Sequence, residues 1–234
     1  MISSRKRLAI IPARGGSKRI KNKNIRKFHH RPMIHHTLDY TVKSNLFHTI
    51  HVSTDDKDIR KSVLDFGLNI DFERPNHLSG DHTTLFDVLK FTVAEYNCLG
   101  QNFDEIWLIM ACAPLTIADD LIEAARTFDP NQGLMIAVGE MPVPLEWAYT
   151  SHGKNLLKFV QPKGYQFRSQ DLSSYYFDAG AFAIFTENQF HKDHFMASPI
   201  QPYHLPKHRS VDIDTEDDWV MAEALFRAIN TVKE

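Results

Sequence analysis

Short apolar runs alternate with longer amphipathic stretches along most of the chain, and this alternation carries the first reading. Leu8–Ile11 is wholly apolar and bounded by charge, as a strand buried on both faces would be. Residues 32–45 follow as a helix, with Pro32 at the first turn and Met33, Ile34, Leu38 and Val42 along one side. Thr49–Ser53 reads as a strand, residues 56–66 as a helix closed by Gly67, and residues 69–72 as a third short strand. A helix is expected over 83–96, then the most apolar strand, Glu-Ile-Trp-Leu-Ile-Met-Ala at 105–111, then a helix over 118–128 and a strand over 133–138. Beyond Val138 the alternation breaks. Prolines at 142, 144 and 162 and scattered aromatics mark residues 140–175 as an excursion from the core. Strands resume at 179–185 and 210–213. A last helix over 215–229 starts at an N-cap, Thr215, with Asp218 three residues on. Strand–helix alternation of this kind predicts an α/β fold: one Rossmann-like, mostly parallel sheet with helices on both faces, forming a single domain over residues 1–234.

Composition narrows the function. Lys and Arg number 27 and Asp and Glu 29, a net charge of −2, so no basic face for nucleic acid is expected. Two cysteines far apart, Cys98 and Cys112, without zinc spacing fit a reducing compartment. The apolar run near the start is too short for a signal peptide, and no stretch would span a membrane; a cytoplasmic protein is expected. His29, His30, His35 and His36 lie close in sequence, but no carboxylate pattern accompanies them, and surface positions are expected. Trp107 and Phe103 are expected in the core.

Two segments carry chemistry. The first strand runs into Pro12-Ala13-Arg14-Gly15-Gly16-Ser17-Lys18-Arg19, with Lys21, Lys23, Arg26 and Lys27 close behind. Adjacent glycines allow positive φ and inward N–H groups, an arrangement that binds anions, and Arg14 and Lys18 add the charge a triphosphate needs. The segment matches neither GxxxxGK[ST] nor GxGxxG, and a basic surface turn is the plainer alternative. At the other end, Val211-Asp212-Ile213-Asp214 alternates apolar and acidic. On a strand the two carboxylates share a face, where a cation such as Mg²⁺ would relieve their repulsion. A solvated acidic lead into the last helix is the alternative there. A polyphosphate loop and a metal-binding carboxylate pair together point to nucleotidyl transfer.

These segments resemble the acylneuraminate (nonulosonic acid) cytidylyltransferase family. AIIPARGGSKRIKNKNI is similar to its opening motif, HVSTDD at 51–56 to its second-strand motif, FERPNHLSGD at 72–81 to its RPxxLxxD segment, and SVDIDTEDDW at 210–219 to its metal motif. The resemblance implies the nucleotide-diphospho-sugar transferase type of fold. It implies CTP contacts from Ala13, Arg14, Gly15, Gly16, Ser17, Lys18, Lys23 and Asn24, with Arg74 and Asp81 near the base or ribose. It implies Mg²⁺ at Asp212 and Asp214, and the catalytic set Arg14, Lys18, Asp212 and Asp214. Two departures bear on the acceptor. Met110 stands where sialic acid members have Gln, and Phe177-Asp178-Ala179-Gly180-Ala181 replaces their RPNGA. RSQDL at 168–172 followed by Asp178-Ala179-Gly180 looks more like the pseudaminic acid branch, although Ala181 replaces its usual Gln. The implied acceptor is a nine-carbon keto-sugar acid, with Arg168 on its carboxylate and Gln170 and Asp178 on its hydroxyl or acylamino groups. An Arg168–Asp178 ion pair is the alternative. The resemblance also implies a homodimer with the 140–175 excursion as its arm. Sialic, legionaminic or eight-carbon acids remain as other acceptors, and a catalytically silent nucleotide-binding module as another class.

Overall fold

The computed structural model describes residues 5–162, 164–190 and 199–231. Its centre is a six-stranded sheet. The strands are β1 (Arg7–Pro12), β4 (Thr49–Ser53), β5 (Glu105–Ile109), β6 (Met135–Glu140), β9 (Tyr176–Thr186) and β10 (Gln201–His204). They lie in the order β10-β6-β9-β5-β1-β4, parallel except for β9, which runs antiparallel to both β5 and β6. Alternate residues of β1 face opposite cores. Ala9 and Ile11 join Ile34, Leu38, Val63, Leu121 and Ala124 of helices α1 (Met33–Lys43), α2 (Lys57–Phe66) and α4 (Ala118–Thr127). Leu8 and Ile10 join Leu89, Val93 and Tyr96 of α3 (Leu85–Cys98) and Phe190 of the short α5 (Glu187–Phe190). Because both faces are covered, β1 reads as a continuous apolar run.

A third cluster stitches the two ends of the chain together. The strands β2 (Lys27–Phe28) and β3 (Arg31–Pro32) form a small hairpin turned by His29 and His30, both at positive φ. Phe28 packs edge-on against Trp219 and Phe226 of α6 (Glu216–Thr231), and the Arg26 guanidinium lies 4.3 Å from the Trp219 ring centre. Thr215 and Asp218 cap α6 reciprocally: Asp218 N–H donates to Thr215 Oγ1, and Thr215 N–H to Asp218 Oδ2.

Several expectations change. Residues 69–72 form no strand. The segment lies beside the edge strand β4 but gives it side chains instead of a ladder: Phe72 stacks on His51, and Asp71 accepts the Tyr96 hydroxyl at 2.6 Å. Residues 210–213 are irregular, not a strand. Strand β10 and the β2–β3 hairpin were not expected; each is very short, with too few positions to show a period. His36 is buried, not on the surface. Its Nε2 reaches the Phe28 carbonyl at 2.8 Å, and its Nδ1 accepts from the Arg31 guanidinium. Val42 is exposed despite its apolar helical position. The interruption between β6 and β9 holds a second hairpin, β7 (Tyr149–Ser151) with β8 (Leu157–Phe159), detached from the main sheet. Trp107 and Phe103 are core residues. Among the described residues no helix is long and apolar enough to cross a membrane.

Candidate active site

The ends of β1 and β5 open onto a cavity of about 620 Å³, at the carboxyl edge where open α/β sheets bind ligands. The loop after β1 forms one wall. It is fastened to β4: Ala13 N–H donates to the Ser53 carbonyl at 2.9 Å. Neither Gly15 nor Gly16 has positive φ, which corrects the reason expected for them. Gly15 is needed for close approach, since a Cβ there would come 2.2 Å from Oδ2 of Asp56, the N-cap of α2. A Cβ on Gly16 would meet nothing. Beyond the loop, the Asn24 amide donates to the Arg14 carbonyl at 3.0 Å. The Cys112 thiol donates to the Asn24 side-chain oxygen at 3.0 Å. Burial pushes the Cys112 thiol up to about 12, so it acts as a hydrogen-bond donor and not as a nucleophile.

Arg14 and Lys18 converge. Both reach the Asp81 carboxylate, at 3.3 and 2.5 Å, and the bond from Lys18 holds that carboxyl below its ordinary value. Arg74 is buried. Its Nε and Nη2 donate to the Ser53 hydroxyl and carbonyl at 3.1 and 2.6 Å, fixing it beneath the cavity wall. Leu78, Leu85 and Val88 supply an apolar wall beside it.

Asp212 and Asp214 line the same cavity. Asp214 pairs with Arg19 at 3.0 Å and Lys23 at 3.5 Å, and Lys23 also donates to the Ile213 carbonyl at 2.7 Å, 190 positions away in sequence. Among the described residues Asp212 makes no such ion pair. Burial, then the neighbouring Asp214 charge, raise its carboxyl above the ordinary value. Gly180, at φ +61°, makes room for it: a Cβ there would lie 2.9 Å from the Asp212 carboxyl carbon. Strand alternation is thus not what brings these two carboxylates together. The segment crosses the sheet end irregularly, and the glycine allows it.

The cavity therefore gathers Arg14, Ser17, Lys18, Lys23, Asn24, Arg74, Asp81, Asp212 and Asp214 from the residues singled out in the sequence. Arg168 and Gln170 lie outside it and are exposed; Arg168 pairs with Asp171 at 2.8 Å rather than with Asp178. Asp178 also lies off the cavity wall, its carboxylate accepting the Gly180 N–H at 2.9 Å. Sequence reading put Arg19 in the loop but missed its pairing with Asp214, and it missed the α3 wall. The α3 residues look like ordinary helix positions.

Comparison with known proteins bears on the family and the fold. The profile of the cytidylyltransferase family matches residues 8–124. A pseudaminic acid cytidylyltransferase of Campylobacter jejuni is 34% identical over 95% of this chain and 97% of its own length. A CMP-N,N'-diacetyllegionaminic acid synthase of Legionella pneumophila is 27% identical over 94% and 95%. A solved CMP:2-keto-3-deoxy-manno-octonic acid synthetase complexed with CTP has the same fold, with a TM-score of 0.69 at 16% identity, covering 95% of this chain and 99% of the other. With a cation-rich first loop, an α/β sheet crossed by one antiparallel strand, and this similarity along nearly its whole length, the chain belongs to the cytidylyltransferase family.

Proposed function

We propose that the protein joins CMP from CTP to a nonulosonic acid, with pseudaminic acid as the acceptor, and releases pyrophosphate in a Mg²⁺-dependent reaction. The observation that carries this reading is the convergence of two cations, Arg14 and Lys18, in one cavity with the Asp212–Asp214 pair. Arg14 and Lys18 already reach one carboxylate, so both can hold one phosphate group. Asn24, braced by Cys112, fixes the Arg14 carbonyl and with it the loop. Arg74, immobilised by Ser53, offers its remaining guanidinium nitrogen to the base or ribose.

The carboxylates suit a magnesium ion: they are two neighbouring oxygen donors, and the charge of Asp214 helps raise the Asp212 carboxyl. Asp212 and Asp214 would hold the ion, which supplies charge neutralisation at the α-phosphate when bound. The anomeric hydroxyl oxygen of the acid attacks the α-phosphorus. The bond from that phosphorus to the bridging oxygen of the β-phosphate breaks, pyrophosphate leaves, and the hydroxyl proton passes to solvent. Positioning and electrostatics provide most of the acceleration.

The acceptor follows from the similarity to the Campylobacter enzyme. Met110 on the cavity wall supports it, as an apolar side chain where sialic acid members offer an amide. A legionaminic acceptor is the second reading, from the Legionella relative. Arg168 and Gln170 reach an acceptor only in a homodimer in which the 140–175 arm of one protomer enters its partner's cavity. The free thiols of Cys98 and Cys112 support a cytoplasmic location.

The test is pyrophosphate release from CTP with a panel of nonulosonic acids, with and without Mg²⁺. Release with pseudaminic acid and Mg²⁺ is expected, falling by about a hundredfold or more in Asp214→Asn. No release with any acid, from folded protein, would sink the reading.

A further inference from the structure

Asp120 and Arg209 lie off the cavity wall, yet they tie together three pieces of chain, two of which run to it. Asp120 is 3% exposed. Its carboxylate accepts the Ile117 N–H at 3.0 Å, the Tyr203 hydroxyl at 3.0 Å and the Arg209 guanidinium. Ile117 starts α4, directly after the loop that places Met110, Ala111 and Cys112 on the cavity wall. Tyr203 belongs to the edge strand β10. Arg209 closes a turn, its N–H donating to the Pro206 carbonyl at 2.8 Å, and leads straight into Ser210–Asp214.

That acidic segment has no strand ladder to hold it. It lies instead over two glycines. A Cβ on Gly139 of β6 would come 2.7 Å from the Ser210 Cβ, and one on Gly180 of β9 would come 2.9 Å from the Asp212 carboxyl. These glycines permit the path without pulling the chain onto it. The pull comes from the ends: Ile213, buried and with its carbonyl bound by Lys23, and Arg209, bound by Asp120. A buried ion pair is a poor source of net stability, because desolvation offsets much of its attraction. It does fix geometry, and Asp120 makes this one favourable by accepting from three donors at once.

We propose that Asp120 and Arg209 are positioning residues for the carboxylates of Asp212 and Asp214, anchoring the acidic segment so that both converge on one divalent cation. The proposal rests on the metal reading above. Partners that orient metal ligands from behind typically change metal affinity by about 10–100-fold when removed.

The experiment measures Mn²⁺ binding to the full chain in the presence of CTP by water-proton relaxation, alongside thermal unfolding and the KM for CTP at saturating metal. Arg209→Gln and Asp120→Asn are expected to raise the Mn²⁺ half-saturation concentration by about tenfold or more, with the KM for CTP changed by less than about twofold. Arg209→Lys, which keeps the charge but loses the planar fork, should shift it by about twofold to fivefold. Tyr203→Phe, which loosens the same hub without touching the segment, should leave it unchanged. If every variant that folds, Arg209→Lys included, binds Mn²⁺ as the parent does, the pair is only a structural staple and the proposal is wrong. Asp212→Asn separates the two levels: should it retain Mn²⁺ binding, the metal site itself is misassigned and both readings fall.

Discussion

Gly15 and Gly16 are adjacent and chemically identical, and their surroundings differ completely. A methyl group on Gly15 would collide with the Asp56 carboxylate, while one on Gly16 enters open space. Gly15→Ala should therefore push the loop after β1 off the start of α2. Expected effects are a loss of about 1–3 kcal/mol, or several degrees of melting temperature, and, on the proposed role of the loop, a raised KM for CTP. Gly16→Ala should keep its melting temperature to within roughly 0.5 kcal/mol. Equal effects in thermal unfolding would contradict the geometry. Single residues also set a pH dependence. Burial lowers the imidazoles of both His36 and His51 to about 4. His36 is flanked by Arg31, His29 and Asp39, and His51 by Asp71 and Arg74. Their folded values lie below the unfolded value of 6.5, so the unfolded chain takes up protons first as the pH falls. Their contribution to stability is complete at neutral pH and is lost progressively from about 6.5 down to about 4. Asp212 is shifted the other way and partly offsets this, so the slope should steepen in Asp212→Asn. Chemical denaturation between pH 7 and 4 measures it; a midpoint that stays flat over this range in the Asp212→Asn protein would rule the assignment out.

At the scale of elements, legibility followed length and periodicity. Helices α1 to α4 and α6 and the strands β1, β4, β5 and β6 were readable because each repeats its pattern over several residues. The short β2, β3 and β10 offer no period to read. The acidic segment was misread for a different reason. Val211 and Ile213 alternate with aspartates as a strand would, but Ile213 packs against Trp219 of α6 rather than within the sheet. Charge at the site was legible, since the sequence clusters it, but not its pairing: nothing in the order of residues indicates that Lys18 meets Asp81 or that Asp120 meets Arg209. The β7–β8 hairpin makes its own prediction. Exposed Tyr149, Leu157 and Val160, with an open apolar hollow between Val143, Trp147, Tyr149 and Phe159, give this arm a surface suited to a second copy. Replacing residues 149–159 with a short polar turn should yield a folded monomer by sedimentation. A variant that still sediments as the parent protein does would exclude the arm as the contact.

For the molecule as a whole, the sheet order places both the earliest strand and the latest irregular segment around one cavity, with the intervening chain forming the scaffold between them. Contacts of this sequence separation form late and slowly, because a long loop must close before they contribute. Lys23 grips the Ile213 carbonyl, and Trp219 sits against Arg26 and Phe28, so the two ends complete each other. Removing the residues from 210 onward would therefore strip Lys23, Arg26 and Phe28 of these partners as well as the cavity of Asp212 and Asp214, so damage to the late segment should also loosen the loop after the first strand.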